Sequence, residues 1–270
     1  MRLFLGIFLL GMWYAGVALA QTDTLQIVDT VAFSMTGAVS GDRYGNLYLA
    51  GKHGSVHKTD SAGHFSLVFS PERVGQVSLI EARNPLAIFV FYRDLQQYLL
   101  LDRFLSPVET HHFDSPEINF VRLATPAADN QVWLLDDMDF AIKKFDPRQN
   151  RISLQVPLDL ILKKGQYDIS WMAEYQNQLF LLDRNSGIFV FDNMGNYKYH
   201  IEAPGIEYFN FLNEEIYFIK NHEVIVVHLY QQEKKSFIIT GKPDKITRVF
   251  IHNSRIFLFA PGYVFICAKN

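Results

Sequence analysis

The feature that most constrains the fold is an apolar run that recurs about every forty residues. Its copies are anchored at Leu47, Ile88, Val132, Leu179, Ile216 and Ile256, so the spacings are 41, 44, 47, 37 and 40 residues. A repeat of this period, with several short strands in each unit, is typical of a β-propeller. Six units fill most of the chain, and the sequence therefore predicts an all-β fold, a six-bladed β-propeller.

Further runs around each anchor predict four strands per unit. In the fourth unit the anchor run is preceded by "DISWMAE" (168–174) and followed by "GIFVFD" (187–192) and "YKYHIE" (197–202). The chain is rich in aromatic residues, with 23 Phe and 13 Tyr, and such side chains suit a pleated, half-buried surface. We therefore expect four-stranded antiparallel blades.

The last unit lacks a fourth strand, because the sequence ends shortly after "YVFIC" (263–267). The segment "LQIVDTVAF" (25–33) precedes the first unit and has no blade of its own. An open ring would leave two exposed sheet edges. We therefore predict that the ring is closed by this N-terminal strand joining the C-terminal blade.

One unit resembles a known repeat family. In "SGDRYGNLYLAGKHGSVHKTDSAGH" (40–64), the residues Asp42, Gly45, Asn46, Tyr48, Ala50, Asp60 and Gly63 match the pattern of an NHL-type repeat. The other units keep the strand rhythm and only parts of the turn. The resemblance implies a disc with a central channel and two faces that carry loops. The family includes scaffolds, lactonases and glycan-active enzymes, so the fold does not decide the function.

Residues 1–20 read as a signal peptide. Arg2 is followed by an apolar stretch, and Ala18-Leu19-Ala20 fits the small-x-small rule for signal peptidase. We predict cleavage after Ala20, export to the periplasm or beyond, and one propeller domain over residues 21–270. An uncleaved membrane anchor is the open alternative. A lipoprotein is not expected, because the only cysteine is Cys267.

The charge of the exported part argues against nucleic acid as a partner. Residues 21–270 hold 24 Lys+Arg, which is 25 less Arg2, against 28 Asp+Glu, a formal charge of −4. A nucleic-acid surface would need a concentrated basic face. No later stretch is apolar and long enough to span a membrane. Cys267 lies in an apolar run and is predicted to be a small buried side chain.

The acidic residues that recur at strand ends are predicted to form turns. Asp60, Asp102, Asp146 and Asp192 each follow a third strand, where an Asp side chain can accept hydrogen bonds from nearby amides. In "LLDDMDF" (134–140), Asp137 and Asp139 have the alternate spacing of calcium ligands. The segment lacks the glycine and the distal glutamate of a calcium loop. We therefore predict a charged hairpin tip and no metal site.

The innermost strands supply the candidate binding residues Arg122, Trp171, Tyr208 and Arg248 near the channel. Arginine and aromatic side chains are common anchors of interfaces. The competing interpretation is that Trp171 and Tyr208 only fill the space between blades. No Gly-x-Ser-x-Gly, P-loop or Cys-x-x-Cys motif occurs, so no catalytic residue and no cofactor is predicted.

These patterns together favour an exported, non-enzymatic interaction scaffold in a bacterial cell envelope. Its expected partner is an envelope protein or a glycan, and the scaffold itself is expected to be monomeric. Two alternatives stay open. One is a metal-dependent lactonase-like or glycan-active enzyme, whose ligands would come from different blades. The other is a periplasmic ligand sensor with a deep pocket.

Overall fold

The computed structural model describes residues 23–34, 37–163, 165–231, 233–241 and 245–269. The predicted signal peptide (1–20) lies outside the described residues. The first described strand is β1 (Asp23–Ala32). The other strands follow as successive hairpins, and the first four-stranded sheet contains β2 (Val39–Gly41), β3 (Leu47–Ala50), β4 (Val56–Thr59) and β5 (Phe65–Phe69). A short 3₁₀ turn, Lys52–Gly54, connects β3 to β4.

Three more four-stranded sheets continue the chain. The second contains β6 (Val77–Glu81), β7 (Ile88–Tyr92), β8 (Gln97–Leu101) and β9 (Pro107–His112). The third contains β10 (Val121–Pro126), β11 (Val132–Asp136), β12 (Ala141–Asp146) and β13 (Arg151–Pro157). The fourth contains β14 (Ile169–Tyr175), β15 (Gln178–Asp183), β16 (Gly187–Asp192) and β17 (Tyr197–Glu202). Neighbouring strands in these sheets are antiparallel.

The remaining strands form one continuous eight-stranded sheet. They are β18 (Phe209–Leu212), β19 (Glu215–Lys220), β20 (Glu223–His228), β21 (Lys234–Ile239), β22 (Arg248–His252), β23 (Arg255–Ala260) and β24 (Tyr263–Lys269), together with β1. Their spatial order is β18-β19-β20-β21-β1-β24-β23-β22. Strand β1 is antiparallel to β24, from Leu25 opposite Lys269 to Ala32 opposite Tyr263. On its other edge β1 is parallel to β21, where Asp23 faces Phe237 and Leu25 faces Ile239.

The prediction of six separate four-stranded blades is wrong. Only four of the described sheets are separate four-stranded blades, and the last eight strands are hydrogen-bonded as one sheet. The physical reason is that a strand has two edges. We assigned one edge of the N-terminal strand to β24, but its second edge carries backbone N–H and C=O groups that pair with β21. An apolar pattern along one strand contains no information about that second partner.

Burial explains why the second strand of each sheet appears in the sequence as a continuous apolar run. Every residue of β7, β11 and β15 is buried, because these strands have another sheet against each face. The outer strand β13 instead alternates between exposed and half-buried residues. The apolar clusters therefore lie between successive sheets, as where Tyr48 and Val56 meet Ile80 and Val90.

The first strands of successive sheets lie side by side around the centre of the propeller, which we call the channel. Strand β2 contacts β6, β6 contacts β10, β10 contacts β14, and β18 contacts β22. In β6, β10 and β14 the register shifts at the second residue, which leaves Ser78, Arg122 and Ser170 as bulged positions. A bulge of this kind bends the strand and changes the direction of its side chain.

The turn acids behave as the sequence predicts. One carboxylate oxygen accepts two backbone amides in each turn: Ala62 and His64 for Asp60, Phe104 and Ser106 for Asp102, Arg148 and Gln149 for Asp146, and Met194 and Asn196 for Asp192. These hydrogen bonds confirm the assignment of the four acids to turns.

The segment that resembles an NHL repeat contains a related network. Asp42 accepts the amides of Tyr44 and Asn46 at 2.9 and 3.0 Å. Its other oxygen accepts the side-chain amide of Asn46 at 2.8 Å and the hydroxyl of Tyr48 at 3.0 Å. Burial raises the pKa of the Tyr48 phenol, and the neighbouring carboxylate adds to the effect. The Asp, Asn and Tyr of the pattern are therefore coupled by hydrogen bonds around one turn.

Candidate binding cleft and channel cluster

A cleft of about 690 Å³ opens between the sheet β6–β9 and the sheet β10–β13. Its walls come from the turns that follow the innermost strands β6, β10 and β14, so we call this end of the sheets the cleft face. The lining side chains include the apolar Phe89, Tyr98, Leu100 and Val132 and the polar or charged Glu81, Arg83, Asn84, Glu109, His111, Asn130, Arg148, Glu174 and Gln176. We call this set the cleft.

The apolar side of the cleft is an aromatic stack. The rings of Phe89 and Tyr98 lie 4.7 Å apart, and the ring of His111 stacks on Tyr98 at 4.9 Å. Phe89 and Tyr98 are almost fully buried, while His111 Nε2 lies 2.9 Å from a carboxylate oxygen of Glu109. Stacked rings of this type offer a rigid apolar surface with a polar edge.

Arg83 connects three sheets at the wall of the cleft. Its Nε and Nη2 donate to the two oxygens of Glu81 at 2.8 and 2.7 Å, a bidentate pair. The same Nη2 donates to the backbone carbonyl of Glu174 at 2.6 Å. The guanidinium lies over the ring of Tyr175 at 5.2 Å and over that of Phe211 at 5.7 Å. Arg83 therefore reaches from β6 to β14 and β18, and it fills the space between them at the cleft face.

Glu174 fixes another wall. Its two carboxylate oxygens accept the amide of Ala128 at 2.8 Å and the indole N–H of Trp133 at 2.7 Å. Burial raises the pKa of this carboxyl, although both hydrogen bonds and the nearby Lys144 work against the rise. Because both donors belong to the neighbouring sheet, Glu174 holds the turn at 127–131 against β14. This role is positional, and the carboxylate already has partners on both oxygens.

Three of the four predicted binding residues lie together, toward the opposite end of the inner strands. The rings of Trp171 and Tyr208 are 4.8 Å apart, and the guanidinium of Arg248 lies over the Tyr208 ring at 5.5 Å. Trp171 is 6% exposed and Tyr208 is 4% exposed, so both also belong to the apolar core between sheets. We call these three residues the channel cluster. Their role in binding stays a prediction.

The fourth predicted residue, Arg122, is apart from that cluster. It lies 3.2 Å from a carboxylate oxygen of Asp137 and donates to the carbonyl of Ile169 on β14. The weak calcium candidates are therefore engaged in other contacts: Asp137 pairs with Arg122, and Asp139 pairs with Lys143 and accepts the side-chain amide of Asn119. Within the described residues, no group of three or more His, Cys, Asp or Glu side chains is placed to hold a metal ion.

Sequence reasoning missed most of the cleft. Glu81 and Glu174 lie on inner strands, but Arg83, Tyr175 and Arg148 lie in or beside turns, which the strand pattern treats as connections. A local signal exists for two contacts, because Glu81 and Arg83 are two residues apart at the end of β6, and Glu109 and His111 are two residues apart on β9. The other contacts join distant parts of the chain and depend on how the sheets are arranged.

Two smaller predictions concern groups outside these sites. Cys267 is fully buried and unpaired, and burial raises the pKa of its thiol to about 11, which agrees with the prediction of a small buried side chain. In the part of the chain that the structure describes, no helix has the length and apolarity needed to cross a membrane.

Comparison with known proteins identifies the fold. No family model and no curated protein sequence matches the chain. Among solved structures, a streptogramin B lyase aligns with a TM-score of 0.64 and 10% identity over 92% of this chain and 98% of that one. BamB from Moraxella catarrhalis aligns with a TM-score of 0.52 and 14% identity over 91% and 100%.

A third structure, YCF48 bound to D1 peptide, aligns with a TM-score of 0.59 and 11% identity over 92% of this chain and 97% of that one. At these identities the likeness shows the fold alone, and the NHL-type assignment of residues 40–64 is not confirmed. The chain has a β-propeller fold, which its solved neighbours use both in an enzyme and in a protein that binds a peptide.

Proposed function

We propose that this chain is an exported β-propeller that acts in the cell envelope as an interaction scaffold, holding a segment of a partner protein in the cleft. The observation that carries the proposal is the cleft itself. Its volume lies within the range of roughly 300–1,000 Å³ that is usual for ligand sites. Export rests on the predicted signal peptide.

The chemistry of the cleft suits a protein segment with apolar and charged side chains. The buried, stacked rings of Phe89 and Tyr98 form a rigid apolar floor, and His111, stacked on Tyr98, is the partly exposed edge of that floor. Among the described residues, Arg148 at the rim has no ion-pair partner, whereas Arg83 and His111 are each paired with a glutamate. Leu86 is 64% exposed in the turn beside the cleft. Arginine and large apolar side chains around a concave surface are typical anchors of an interface.

Two acidic side chains at the cleft face, Glu81 and Glu174, already bind groups of the protein itself, which argues against a catalytic role for these two. Arg83 occupies the space between β6, β14 and β18, and Glu81 and Glu174 use their oxygens to hold protein groups. A general acid or base needs a carboxyl or imidazole that can reach a substrate proton. The precedent for a peptide ligand on this fold is the neighbour solved with a bound peptide.

The test is photo-crosslinking in the native envelope, with a photoreactive residue in place of Arg148. Asn185, an exposed residue in a turn on the opposite face, is the matched control position. We expect one envelope protein to be captured from position 148 and not from position 185. Capture from position 185 alone would contradict the assignment to the cleft, and a protein that is never captured with a partner would contradict the scaffold.

A pair of substitutions tests the same surface without a crosslinker. Leu86→Asp places a charge beside the cleft, and Leu160→Asp makes the same change at an exposed position in the connection before β14, on the opposite face. Neither side chain is buried, so both variants should keep the wild-type unfolding temperature. We expect Leu86→Asp alone to lose the partner in an affinity pull-down. If both variants retain the partner equally, the proposal is contradicted. Recovery of a glycan instead of a protein would contradict the assignment of the cleft to a protein segment.

A further inference from the structure

The channel cluster contains hydrogen-bond donors that have no partner among the described residues. The indole Nε1 of Trp171 and the guanidinium Nε of Arg248 are buried and unpartnered, and so is the hydroxyl of Ser170, the bulged residue next to Trp171. Trp171 is 94% buried, because only 6% of its surface is exposed. Leaving a buried polar group without a hydrogen bond is unfavourable, so such groups usually mark a water or a ligand.

The charges around the cluster point to a ligand with a negative charge. Arg122 is paired with Asp137 at 3.2 Å and Arg184 with Asp168 at 3.1 Å. Arg248 has no such carboxylate among the described residues. Desolvation lowers the pKa of the Arg248 guanidinium, and the nearby Arg184 acts in the same direction, while the phenol of Tyr208 and the carboxylate of Glu207 oppose it.

Both unpartnered nitrogens are donors, and one carries a charge. An indole N–H cannot accept a hydrogen bond, and a guanidinium has no acceptor either. The group that satisfies both must therefore be an acceptor, and an anion also compensates the buried cation. Tyr208 lies against both side chains, so the indole of Trp171 and the guanidinium of Arg248 share one aromatic neighbour. The cluster lies toward the start of β14, whereas the cleft lies at its end, so the two sites are separate.

We infer that Arg248 and Trp171 form a binding site for a small oxyanion, a carboxylate or phosphate group, at the end of the channel opposite the cleft face. The guanidinium and the indole N–H donate to the oxygens of the anion, and the unpartnered hydroxyl of Ser170, the preceding residue in the chain, is available as a further donor. Tyr208 is the platform that positions the guanidinium. This site does not depend on the proposed scaffold function.

The test is a titration of the ¹⁵N-labelled purified protein, with the indole N–H signal of Trp171 as the readout. Trp171→Phe identifies the signal by its loss. The probes are inorganic phosphate and acetate, with acetamide as the neutral analogue and sodium chloride at matched ionic strength. We expect a saturable shift of the Trp171 signal with phosphate or acetate, and the probe that saturates at the lower concentration identifies the anion class. The indole of Trp133, which donates to Glu174 at 2.7 Å, should not move.

A second measurement separates binding from folding. Phosphate or acetate should raise the unfolding temperature of the wild-type protein, because a ligand that binds only the folded state stabilises it. Arg248→Met should abolish both the shift and the rise. Arg184→Met, which removes an arginine that already has a carboxylate partner, should retain both.

Three outcomes would overturn the inference. The first is a Trp171 signal unaffected by either oxyanion, which would show that water or another part of the chain satisfies the donors. The second is an equal shift with chloride or acetamide, which would show an effect of ionic strength or solvent. The third is a response that survives in Arg248→Met, which would place the anion elsewhere.

Discussion

The Nζ of Lys143 lies 2.8 Å from Oδ2 of Asp136, and both side chains are completely buried. The pair joins β11 to β12. Lys143 also donates to the carboxylate of Asp139 and to the carbonyl of Glu117, and Asp136 accepts the amide of Asn119. The charged tip that the sequence predicts at 134–140 is therefore attached to the sheet through a buried cation.

Lys143→Met should strongly destabilise the fold. The substitution leaves the Asp136 carboxylate buried without its cation, and breaking such a pair typically costs about 3–5 kcal/mol. Lys235→Met is the matched control, because Lys235 is 65% exposed and pairs with Glu215 at the surface. That control should change the free energy of unfolding by about 0–1 kcal/mol. Urea unfolding of both variants measures the difference, and similar losses would contradict the assigned role of the buried pair.

Stability should fall in acid because of the same carboxylate. Burial alone would raise the pKa of Asp136, but Lys143 and the amides of Asn119 and Phe120 lower it below the ordinary value. The folded-state pKa is therefore below the unfolded one, which is about 3.9. The stabilisation is fully present above the unfolded pKa and is lost as the pH falls through the folded pKa.

Asp136→Asn provides the comparison for this pH dependence. We expect the variant to be less stable than the wild type at pH 7 and the difference to shrink below about pH 4. The measurement is the free energy of unfolding in urea across the acid range. Curves that remain parallel down to the lowest pH would contradict the prediction.

Leu25→Ala should destabilise the eight-stranded sheet. Leu25 is fully buried on β1, in the apolar cluster that also contains Tyr217, Ile239 and Cys267. Shortening a buried leucine to alanine costs about 2–5 kcal/mol. Val28→Ala, in the same strand but at a position that is 62% exposed, should cost less than about 0.5 kcal/mol. Thermal unfolding measures both, and an equal effect would show that the inward face of β1 contributes little.

Gly187→Ala should cost more than Gly262→Ala. Both glycines have positive φ, at 130° and 85°, which is unfavourable for an alanine by about 1–2 kcal/mol. A Cβ at Gly187 would also lie 2.2 Å from the carbonyl oxygen of Ile201, whereas nothing lies within 4 Å of one at Gly262. Backbone atoms cannot move away without breaking the β16–β17 pairing. Denaturant unfolding measures the loss of unfolding free energy in both variants. An equal loss would mean that β17 can shift to accommodate the added Cβ.

The strands could be predicted because buried strands appear in the sequence as continuous runs of apolar residues. The run 179–182 is apolar because sheets cover both of its faces, and turn acids such as Asp192 lie where backbone amides converge. The sequence placed Arg122, Trp171, Tyr208 and Arg248 near the channel; three of them lie together in the structure, and their role in binding stays a prediction. The cleft could not be predicted in the same way, since Arg83 and Glu174 meet only after three sheets have packed together.

The parallel contact of β1 with β21 is the clearest limit of the sequence argument. Residues 23–25 show the same apolar and polar types whether one edge or both edges are paired. Backbone hydrogen bonds along a second edge do not require particular side chains, so the sequence does not reveal them. The six-blade count was therefore wrong at the one place where two sheets share a strand.

The position of β1 also has a consequence for how the protein is made. During synthesis β1 emerges long before β21 and β24, the strands that lie against its two edges. Contacts between such distant parts of a chain form slowly, because a long loop must close first. The sheet is therefore completed only after β24 has been synthesised, and until then β1 carries two open edges that other strands can capture. A cell that makes this protein needs to keep the nascent chain from pairing with neighbouring chains until β21 and β24 are available.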